Sequence, residues 1–369
     1  MTLRVLQVLH QGGGAGSVTS TLHLSLGLAR AGMTVRFVCP PGSEVEALAR
    51  AGGLEVLPLA LAPGSRVANA RALGALLAKH PVDVVNSQSA RDRQALTLLA
   101  LSGRLPVPLV LTRRQMPRTF FVGNWLAGRA AARVIAVSRA VAGALRRKGT
   151  PREKLVVIPN GLVTERVDGL VPPEALAAWR ERIGWTAAQR TVGIVARDKD
   201  QRVVLDALER VRTPVRLVMV GIDPAGPLGA AARKVRSPHA VVCLPFTADV
   251  RPLYDLLDLA LLPSRSEGLS QALLEAMALG KPVIASAAAG NLDLVVHGGD
   301  GLLVPALDPS AWAQAIDRLL DDGELARRFG RAARHTARDT FALSHTVSRT
   351  AELYREVVAD WVARPRRSG

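Results

Sequence analysis

Residues 259–286 read LALLPSRSEGLSQALLEAMALGKPVIAS, and this stretch decides how the second half of the chain folds. LALLPS and KPVIAS are short apolar runs of the kind that form buried strands. The segment between them is helix-like, and its helix is expected to begin near Ser270. A strand, a helix and a second strand in this order predict a βαβ unit with parallel strands.

Outward from this stretch, strand-like and helix-like segments alternate along the whole chain. The alternation runs from LRVLQVLH to KLVVIPNG, is interrupted by a polar, proline-bearing connection at residues 163–173, and restarts at TVGIVAR. A chain of 369 residues is also too long for one ordinary core. We therefore predict an α/β protein with two Rossmann-like domains, residues 1–170 and 171–340, that face each other across a cleft. The amphipathic tail SHTVSRTAELYREVVADWVA predicts one further helix.

Positive charge is concentrated in the first domain. The whole chain has a net charge of +17, and residues 1–170 hold 22 Lys and Arg against 8 Asp and Glu, a net +14. Such a field attracts anionic partners, so nucleic acid, an anionic membrane surface, a charged substrate and a basic surface without a partner are all open. Nucleic acid is disfavoured because FFVGNW is the only aromatic cluster in the basic region, whereas stacking aromatics are typical of such proteins.

Two features favour a cytoplasmic protein. The N-terminal residues MTLRVLQVLH lack the long apolar region and cleavage site of a secretory signal, and no apolar run reaches the length of a transmembrane helix. The two cysteines, Cys39 and Cys243, lie in separate apolar runs and are interpreted as buried core thiols. Neither the cysteines nor the seven histidines and the carboxylates form a cluster with metal-ligand spacing.

Two glutamates stand out within the apolar residues 264–286. Glu267 precedes Gly268 in the loop beyond the carboxyl end of a strand, where parallel sheets bind ligands. Glu275 lies inside the helix, about two turns from its start. A carboxylate can accept hydrogen bonds from vicinal sugar hydroxyls, while helix N-terminal amides can hold a phosphate. The alternatives are that Glu267 caps the helix and that Glu275 forms a salt bridge with a neighbouring arginine.

Two other loops at strand ends carry groups that suit a phosphate. QGGGAGS, which includes Gly14 and Gly16, opens the first helix and allows close backbone approach, or it is only a tight strand-to-helix turn. It lacks the last glycine of the dinucleotide fingerprint, which disfavours a dehydrogenase. GIVARDKD places Arg197 and Lys199 where two cations could clamp a diphosphate, although the interleaved aspartates would also suit a solvated loop.

The ordered set of motifs resembles glycosyltransferase family 4, whose members are retaining, nucleotide-sugar-dependent enzymes of the GT-B fold. EGLSQALLEAMALGKPVIAS is similar to the E-x7-E region of that family, and VLHQGGGAGS is similar to its first glycine-rich loop. RVIAVSRAVAGAL with KLVVIPNGL, then GIVAR, AGN and GDGLLVP, match other family motifs, and the whole set keeps the family's order over nearly the whole chain. The resemblance implies that the tail, residues 341–369, packs back on the first domain.

The resemblance also implies a role for each matching residue of the second domain. Glu275 would bind the ribose hydroxyls of the donor nucleotide, and Glu267 would contact the donor sugar. The backbone at Gly268, Leu269 and Ser270 would lie beside the sugar and the phosphates.

The implied mechanism is front-face transfer without a metal or another cofactor. Arg197 and Lys199 would bind the donor diphosphate and neutralise it as it leaves. The acceptor hydroxyl would attack the same face of the sugar, so that the configuration is retained. The other residues implied in donor binding are two glycines that approach the diphosphate and two residues at the nucleotide base: Gly14, Gly16, Pro245 and Phe246.

The chain departs from the family pattern in two places. The family's common form is R-x4-K, whereas Arg197 and Lys199 are separated by one residue, and Arg202 could replace the second cation. Histidines that the family often carries in the first domain are absent, and Arg113 and Arg114 stand at one such position. These two arginines could receive an anionic acceptor, such as a phosphorylated sugar or a lipid headgroup.

The sequence therefore predicts a retaining glycosyltransferase that moves a sugar from a nucleotide sugar to a cell-envelope glycan or lipid acceptor, such as a lipopolysaccharide core. A sugar-nucleotide epimerase or hydrolase with the same donor site, a basic nucleic-acid-binding protein and an inactive family member are the alternatives. The protein would work in the cytoplasm, or bound to the inner face of the membrane through a basic patch. That patch would comprise Arg129, Arg133, Arg146, Arg147 and Lys148.

Overall fold

The computed structural model describes residues 2–13, 16–117, 120–247 and 249–363. The chain forms two compact units, Met1–Gly161 with Leu343–Gly369 (unit 1) and Leu162–Ala342 (unit 2). The boundary between the two units lies after Gly161, whereas the sequence predicts it after residue 170.

Unit 1 is built on one parallel sheet. Its strands are β1 (Arg4–Val8), β2 (Thr34–Cys39), β3 (Glu55–Pro58), β4 (Val84–Ser87), β5 (Leu109–Arg113), β6 (Arg133–Ala136) and β7 (Leu155–Val157). They lie in the order β3-β2-β1-β4-β5-β6-β7. The helices that follow the strands are α1 (Gly16–Arg30), α2 (Glu44–Ala51), α3 (Arg66–Lys79), α4 (Ala90–Leu101), α5 (Phe121–Ala130) and α6 (Arg139–Arg147), with a 3-10 turn at Arg152–Lys154.

Unit 2 repeats this plan with six parallel strands. They are β8 (Arg190–Val195), β9 (Val215–Val220), β10 (Ala240–Leu244), β11 (Leu259–Leu262), β12 (Val283–Ser286) and β13 (Leu302–Val304), in the order β10-β9-β8-β11-β12-β13. Its helices are α7 (Pro173–Ile183), α8 (Arg202–Leu208), α9 (Pro227–Ala232), α10 (Arg251–Leu256), α11 (Gln271–Ala278), α12 (Asn291–Leu294), α13 (Pro309–Asp321) and α14 (Gly323–His335). A 3-10 turn at Thr164–Arg166 precedes them, and a π-helical turn at Thr336–Thr340 follows them.

The tail helix α15 (Leu343–Val362) packs into the core of unit 1. Its Tyr354 is fully buried, and the hydroxyl oxygen accepts hydrogen bonds from Gln7 Nε2 at 3.1 Å and from Asn86 Nδ2. Val347 and Val357 lie in the same apolar cluster as β1 and β4. Because burying an aliphatic side chain contributes about 1.5–3 kcal/mol, the tail is part of the stability of unit 1.

Each sheet has a topological switch point, where the strand order reverses. In unit 1 the reversal lies between β1 and β4, and in unit 2 it lies between β8 and β11. Loops leave the carboxyl ends of such neighbouring strands toward opposite faces, which opens a crevice for a ligand. In unit 2 this places the loops 196–201 and 263–270 side by side.

The two cysteines differ in burial. Cys39 is buried, as predicted, whereas Cys243 is only partly buried because β10 is an edge strand. Among the described residues, no helix combines the length and apolar character needed to cross a bilayer.

Candidate functional site

The loop after β8 is short and held by a buried side chain. Gln201 is fully buried, its Nε2 donates to the Arg197 carbonyl at 2.7 Å, and its Oε1 accepts from the Lys199 amide. Asp200 has a φ of +68°, which a non-glycine residue rarely adopts. Its carboxylate accepts from the amide and the Nε of Arg265, both at 3.0 Å. The loop is thereby tied to the neighbouring loop after β11.

Lys199 and Glu267 meet where these two loops lie side by side. The Lys199 Nζ lies 2.7 Å from Glu267 Oε1, and the exposed fractions of the two side chains are 39% and 12%. Glu267 does not cap α11, since the Ser270 Oγ accepts from the Leu273 amide at 3.3 Å instead. The capping alternative for Glu267 is therefore wrong, whereas the predicted helix start near Ser270 is confirmed.

The backbone before α11 is fixed by a close approach of two chain segments. Gly268 and Leu269 are buried, and the Gly290 amide donates to the Glu267 carbonyl at 3.1 Å. A Cβ atom added to Gly290 would lie 1.9 Å from the Gly268 carbonyl oxygen, so no larger residue fits there. The loop therefore presents its amides and the first turn of α11 in one fixed arrangement, which suits an anion.

Glu275 is buried and engaged on both carboxylate oxygens. Arg166 Nε donates to Oε1 at 2.6 Å, and the Tyr254 hydroxyl lies 3.4 Å from Oε2. Burial raises the pKa of Glu275 above its ordinary value, although Arg166 and Tyr254 oppose this shift. Burial also raises the pKa of Tyr254 well above its ordinary value, so its hydroxyl stays protonated. That hydroxyl also donates to the Ala272 carbonyl at 2.9 Å, which is its closer acceptor. The arginine salt bridge considered as an alternative is thus present.

The other predicted donor residues that the structure describes lie close to the carboxyl ends of strands. Arg197 is exposed at the start of the loop after β8, and Gly16 is the first residue of α1. Pro245 and Phe246 are exposed directly after β10, two strands from β8. Gly14 lies outside the described residues.

Arg202 is already paired within its own helix. Its Nε donates to Asp206 Oδ1 at 2.7 Å, and its side chain is 68% exposed. Lys199, and not Arg202, is therefore the cation that the structure places beside Glu267.

Arg113 and Arg114 are both buried but do not share a partner. Arg113 Nη1 donates to Asn124 Oδ1 of α5 at 3.0 Å, whereas Arg114 Nη1 donates to the side chain of Gln88. The two side chains thus make separate contacts, and their role in acceptor binding stays a prediction. Burial lowers the pKa of Arg113 to about 9 and that of Arg114 to about 10.

Sequence reasoning missed a second polar cluster at the carboxyl edge of unit 1. His10 lies in the loop just after β1. Its Nδ1 lies 3.1 Å from Oδ1 of the fully buried Asp92. The signal was available, since VLH and NSQSARDR both end strands.

Arg166 and Tyr254 were missed for another reason. Arg166 lies 109 residues before Glu275, and neither residue carries a local motif. The two tyrosines of the chain, Tyr254 and Tyr354, both place their hydroxyl in a buried polar network. Rare residues of this kind are the signal that could have indicated them.

Within the described ranges, no group of three or more His, Cys, Asp or Glu side chains is arranged to hold a metal ion. The metal-independent chemistry that the resemblance implies stays a prediction.

Two family models match the chain in succession. Glycosyltransferase Family 4 matches residues 14–166, and Glycosyl transferases group 1 matches residues 189–322, which together exceed three quarters of the chain. The chain thus carries a Glycosyltransferase Family 4 domain followed by a Glycosyl transferases group 1 domain. The first match falls within unit 1 and the start of unit 2, and the second contains the whole E-x7-E region.

Individual relatives agree with the family. The chain is 35% identical over 227 residues to the D-inositol 3-phosphate glycosyltransferase of Salinispora arenicola, which covers 60% of this chain and 46% of that protein. It is 29% identical over 211 residues to the O-antigen chain mannosyltransferase C of Escherichia coli, which covers 55% of each. The chain thus spans about half the length of the curated relatives that it matches.

The fold is that of solved glycosyltransferases. Anabaena HepE, crystallised in complex with UDP, superposes with a TM-score of 0.81 over 96% of this chain and 100% of that chain, at 21% identity. The GT-B fold expected from the resemblance is thereby confirmed, and the cleft between the two domains stays a prediction.

Proposed function

We propose that this protein transfers a sugar, with retention of configuration, from a nucleoside diphosphate sugar to a cell-envelope glycan or lipid acceptor. One observation carries the proposal. A lysine and a carboxylate, Lys199 and Glu267, are held 2.7 Å apart beside the start of α11, at the switch point of the sheet in unit 2. A cation that approaches helix amides at such a point favours a diphosphate.

The donor roles follow from the chemistry of each group. Lys199, with Arg197 in the same loop, would neutralise the negative charge that develops on the diphosphate as the sugar leaves. Glu267 would then exchange part of its contact with Lys199 for hydroxyls of the donor sugar. Glu275 would accept hydrogen bonds from the ribose, because its carboxylate is fixed by Arg166 and Tyr254. Pro245 and Phe246 would contact the base.

The acceptor class is supported by the relatives. One of them is by name a D-inositol 3-phosphate glycosyltransferase and another is an O-antigen chain mannosyltransferase, and the second name supports an envelope glycan as the acceptor. We propose that unit 1, which is the basic unit, binds the acceptor.

The experiment that tests the function is thermal unfolding with UDP, GDP, ADP and their glucose or mannose conjugates. One base class is expected to raise the melting midpoint by mass action, and the corresponding monophosphate less so. The stabilising nucleotide sugar is then incubated with envelope lipid extracts, and the anomeric configuration of the product is read by NMR. No shift with any nucleotide would contradict the proposal, and free sugar or an epimer without acceptor would favour a hydrolase or an epimerase.

The first turn of α5 adds an apolar element to the proposed membrane patch. The exposed fractions of Phe120, Phe121 and Val122 are 90%, 57% and 62%. Phe121 lies against Gly149, since a Cβ there would be 2.9 Å from the Phe121 ring. The aromatic turn therefore adjoins the end of the basic helix α6. An anionic bilayer surface is the occupant that complements both the charge and the exposed aromatic rings.

The structure also revises the basic part of that patch. Arg129, Arg146 and Arg147 are exposed, whereas Lys148 donates to the Pro117 carbonyl at 2.7 Å and Arg133 lies 3.5 Å from Asp360. In the proposed patch, the three exposed arginines would attract anionic lipid headgroups.

Replacing both Phe120 and Phe121 with serine is expected to lower partitioning onto anionic vesicles about tenfold or more, because two apolar side chains no longer enter the interface. The measurement is cosedimentation with phosphatidylglycerol vesicles at low and high salt. Leu170→Ser is the matched control, since Leu170 is 99% exposed and lies in unit 2. Equal sedimentation of the double variant and the wild type would contradict the patch.

A further inference from the structure

His10 lies at the topological switch point of the sheet in unit 1. It lies in the loop just after β1, and the two partners of its ring, Ser89 and Asp92, lie in the loop and the first helical turn after β4. β1 and β4 are neighbours where the strand order reverses, and parallel sheets bind ligands beyond the strand ends at such a point. The His10 side chain is 13% exposed, so part of the ring is accessible at this edge.

Ser89 and Asp92 determine which ring nitrogen of His10 carries the proton. His10 Nδ1 contacts Ser89 Oγ and lies 3.1 Å from Asp92 Oδ1. Ser89 donates its single hydroxyl proton to Asp92 Oδ1, and its oxygen accepts from the His10 amide at 3.1 Å. Ser89 therefore has no proton left for His10, and an ionised carboxylate can only accept. Nδ1 must carry a proton, and in the neutral ring Nε2 then holds a lone pair.

Asp92 suits this role because it is ionised and fixed. It is fully buried, and burial alone would raise its pKa, but hydrogen bonds from His10, Ser89 and Ser87 hold the pKa below its ordinary value. Its Oδ2 accepts from Ser87 Oγ at 2.7 Å and from the amides of Gln88 and Ser89 at 2.8 Å. These three donors orient the carboxylate, so its Oδ1 stays toward His10.

The other ring nitrogen of His10, Nε2, is not used within the protein. Among the residues that the structure describes, no hydrogen bond includes Nε2. The two ring nitrogens point in nearly opposite directions, so Nε2 faces away from Asp92. A neutral nitrogen lone pair accepts a hydrogen bond from a hydroxyl group, but it offers nothing to phosphate oxygens, which are acceptors as well. The group that suits this position is a hydroxyl donor and not an anion.

We propose that His10 Nε2 binds a hydroxyl group of a carbohydrate and that Asp92 is the residue that positions the ring for it. The proposal rests on the proposed function for the presence of a carbohydrate, whereas the state of the His10 ring does not. Because Ser89 and Asp92 already hold the ring, little side-chain freedom is lost when the hydroxyl binds. The hydroxyl belongs either to the donor sugar or to the acceptor, and the experiment separates these two sources.

The first measurement is the tautomer of His10 in the full chain. Protein labelled with 15N-histidine is studied by long-range 1H–15N correlation NMR, and His10 is identified among the seven histidines by its absence from His10→Phe. The Nδ1–H tautomer is expected at neutral pH. A ring with a proton on Nε2, alone or as an imidazolium ion, would overturn the proposal because Nε2 would then be a donor.

Asp92→Asn tests the positioning role. Since three donors hold Oδ2, the asparagine oxygen is expected to take that place and the NH2 group to replace Oδ1. Nδ1 must then accept, so the ring is expected to switch to the Nε2–H tautomer and to lose its response to carbohydrate. Ser89→Ala disturbs the same loop but leaves Asp92 facing Nδ1, so the wild-type tautomer is expected there. An unchanged tautomer in Asp92→Asn, or a switch in Ser89→Ala, would contradict the role of Asp92.

Carbohydrate is then supplied from both sides of the reaction. UDP-glucose and GDP-mannose are each compared with the free nucleoside diphosphate, so that the difference reports the donor sugar. Methyl α-mannoside and D-inositol 3-phosphate are the acceptor probes. One of the two sets is expected to shift the His10 Nε2 signal, and that set identifies the source of the hydroxyl. If neither set moves this signal, the proposal is wrong.

His10→Phe is expected to weaken the apparent affinity for the responding probe about tenfold, because a hydroxyl loses its hydrogen-bond partner. His80→Phe is the matched control. His80 also lies in unit 1 and faces a carboxylate, with its Nδ1 3.9 Å from Glu55, but it precedes β4 and so lies at the opposite edge of the sheet. Equal affinities of the two variants would overturn the proposal. A wild type that no nucleotide stabilises, but whose Nε2 signal responds to methyl α-mannoside, would contradict the proposed function and support this inference.

Discussion

Replacing Lys199 with methionine is expected to lower kcat about 100- to 1,000-fold, while the KM for the donor changes much less. The reason is that a fixed cation acts mainly on charge that develops in the transition state, and removing one such group typically costs this much. Lys199 is held in place by Glu267 and by the buried Gln201, so it needs little reorganisation during the reaction. Steady-state kinetics on the nucleotide sugar found by the stability screen provide the measurement.

Arg202→Met is the matched control for this prediction. Arg202 follows the same loop and carries the same charge, but it is paired with Asp206 within α8. Its replacement is expected to leave kcat within about twofold, as for an exposed salt bridge. A large loss in Arg202→Met with a small loss in Lys199→Met would show that Arg202 has taken over the place of the family's second cation.

The elements around Lys199 and Glu267 could be predicted from sequence because they are local. The strand before Glu267, the helix start at Ser270 and the loop after β8 are each read from a few consecutive residues. The order of the strands then brings two loops together at a switch point, so the Lys199–Glu267 contact follows from topology.

The parts that could not be predicted depend on pairings between distant segments. The Arg166–Glu275 salt bridge spans 109 residues, and the Asn86–Tyr354 hydrogen bond spans 268. Neither partner has a local pattern that specifies the other. The separate contacts of Arg113 and Arg114 are of the same kind, because their partners Asn124 and Gln88 lie on other elements that no local pattern specifies.

Replacing Glu275 with glutamine is expected to raise the Kd for the donor nucleotide about 10- to 100-fold. A neutral amide replaces the charged acceptor of two ribose hydroxyls, and hydrogen bonds to a charged group contribute about 1.5–3 kcal/mol. Isothermal titration of UDP or GDP into both proteins measures the effect. Glu324→Gln is the control, because it makes the same change on the first turn of another helix, α14.

The affinity for the nucleotide is also expected to depend on pH through Glu275. Burial raises the pKa of Glu275 above its ordinary value of 4.5, and Arg166 opposes part of that shift. Only the ionised carboxylate accepts from both ribose hydroxyls, so affinity should rise as the pH increases through the raised pKa. Arg166→Met removes the opposing charge, and the midpoint of this rise should move to higher pH.

The free energy of unfolding should change with pH in the opposite direction to the nucleotide affinity. This difference separates a binding role of Glu275 from a structural one. Because its pKa is raised in the folded state, Glu275 contributes stability below about pH 4.5, and this contribution is lost as the pH rises through the folded-state pKa. Glutamine stays uncharged, so unliganded Glu275→Gln should melt at or above the wild-type midpoint at neutral pH. A variant that melts well below the wild type yet still binds the nucleotide normally would mean that the Arg166–Glu275 salt bridge serves the fold and that the ribose is held elsewhere.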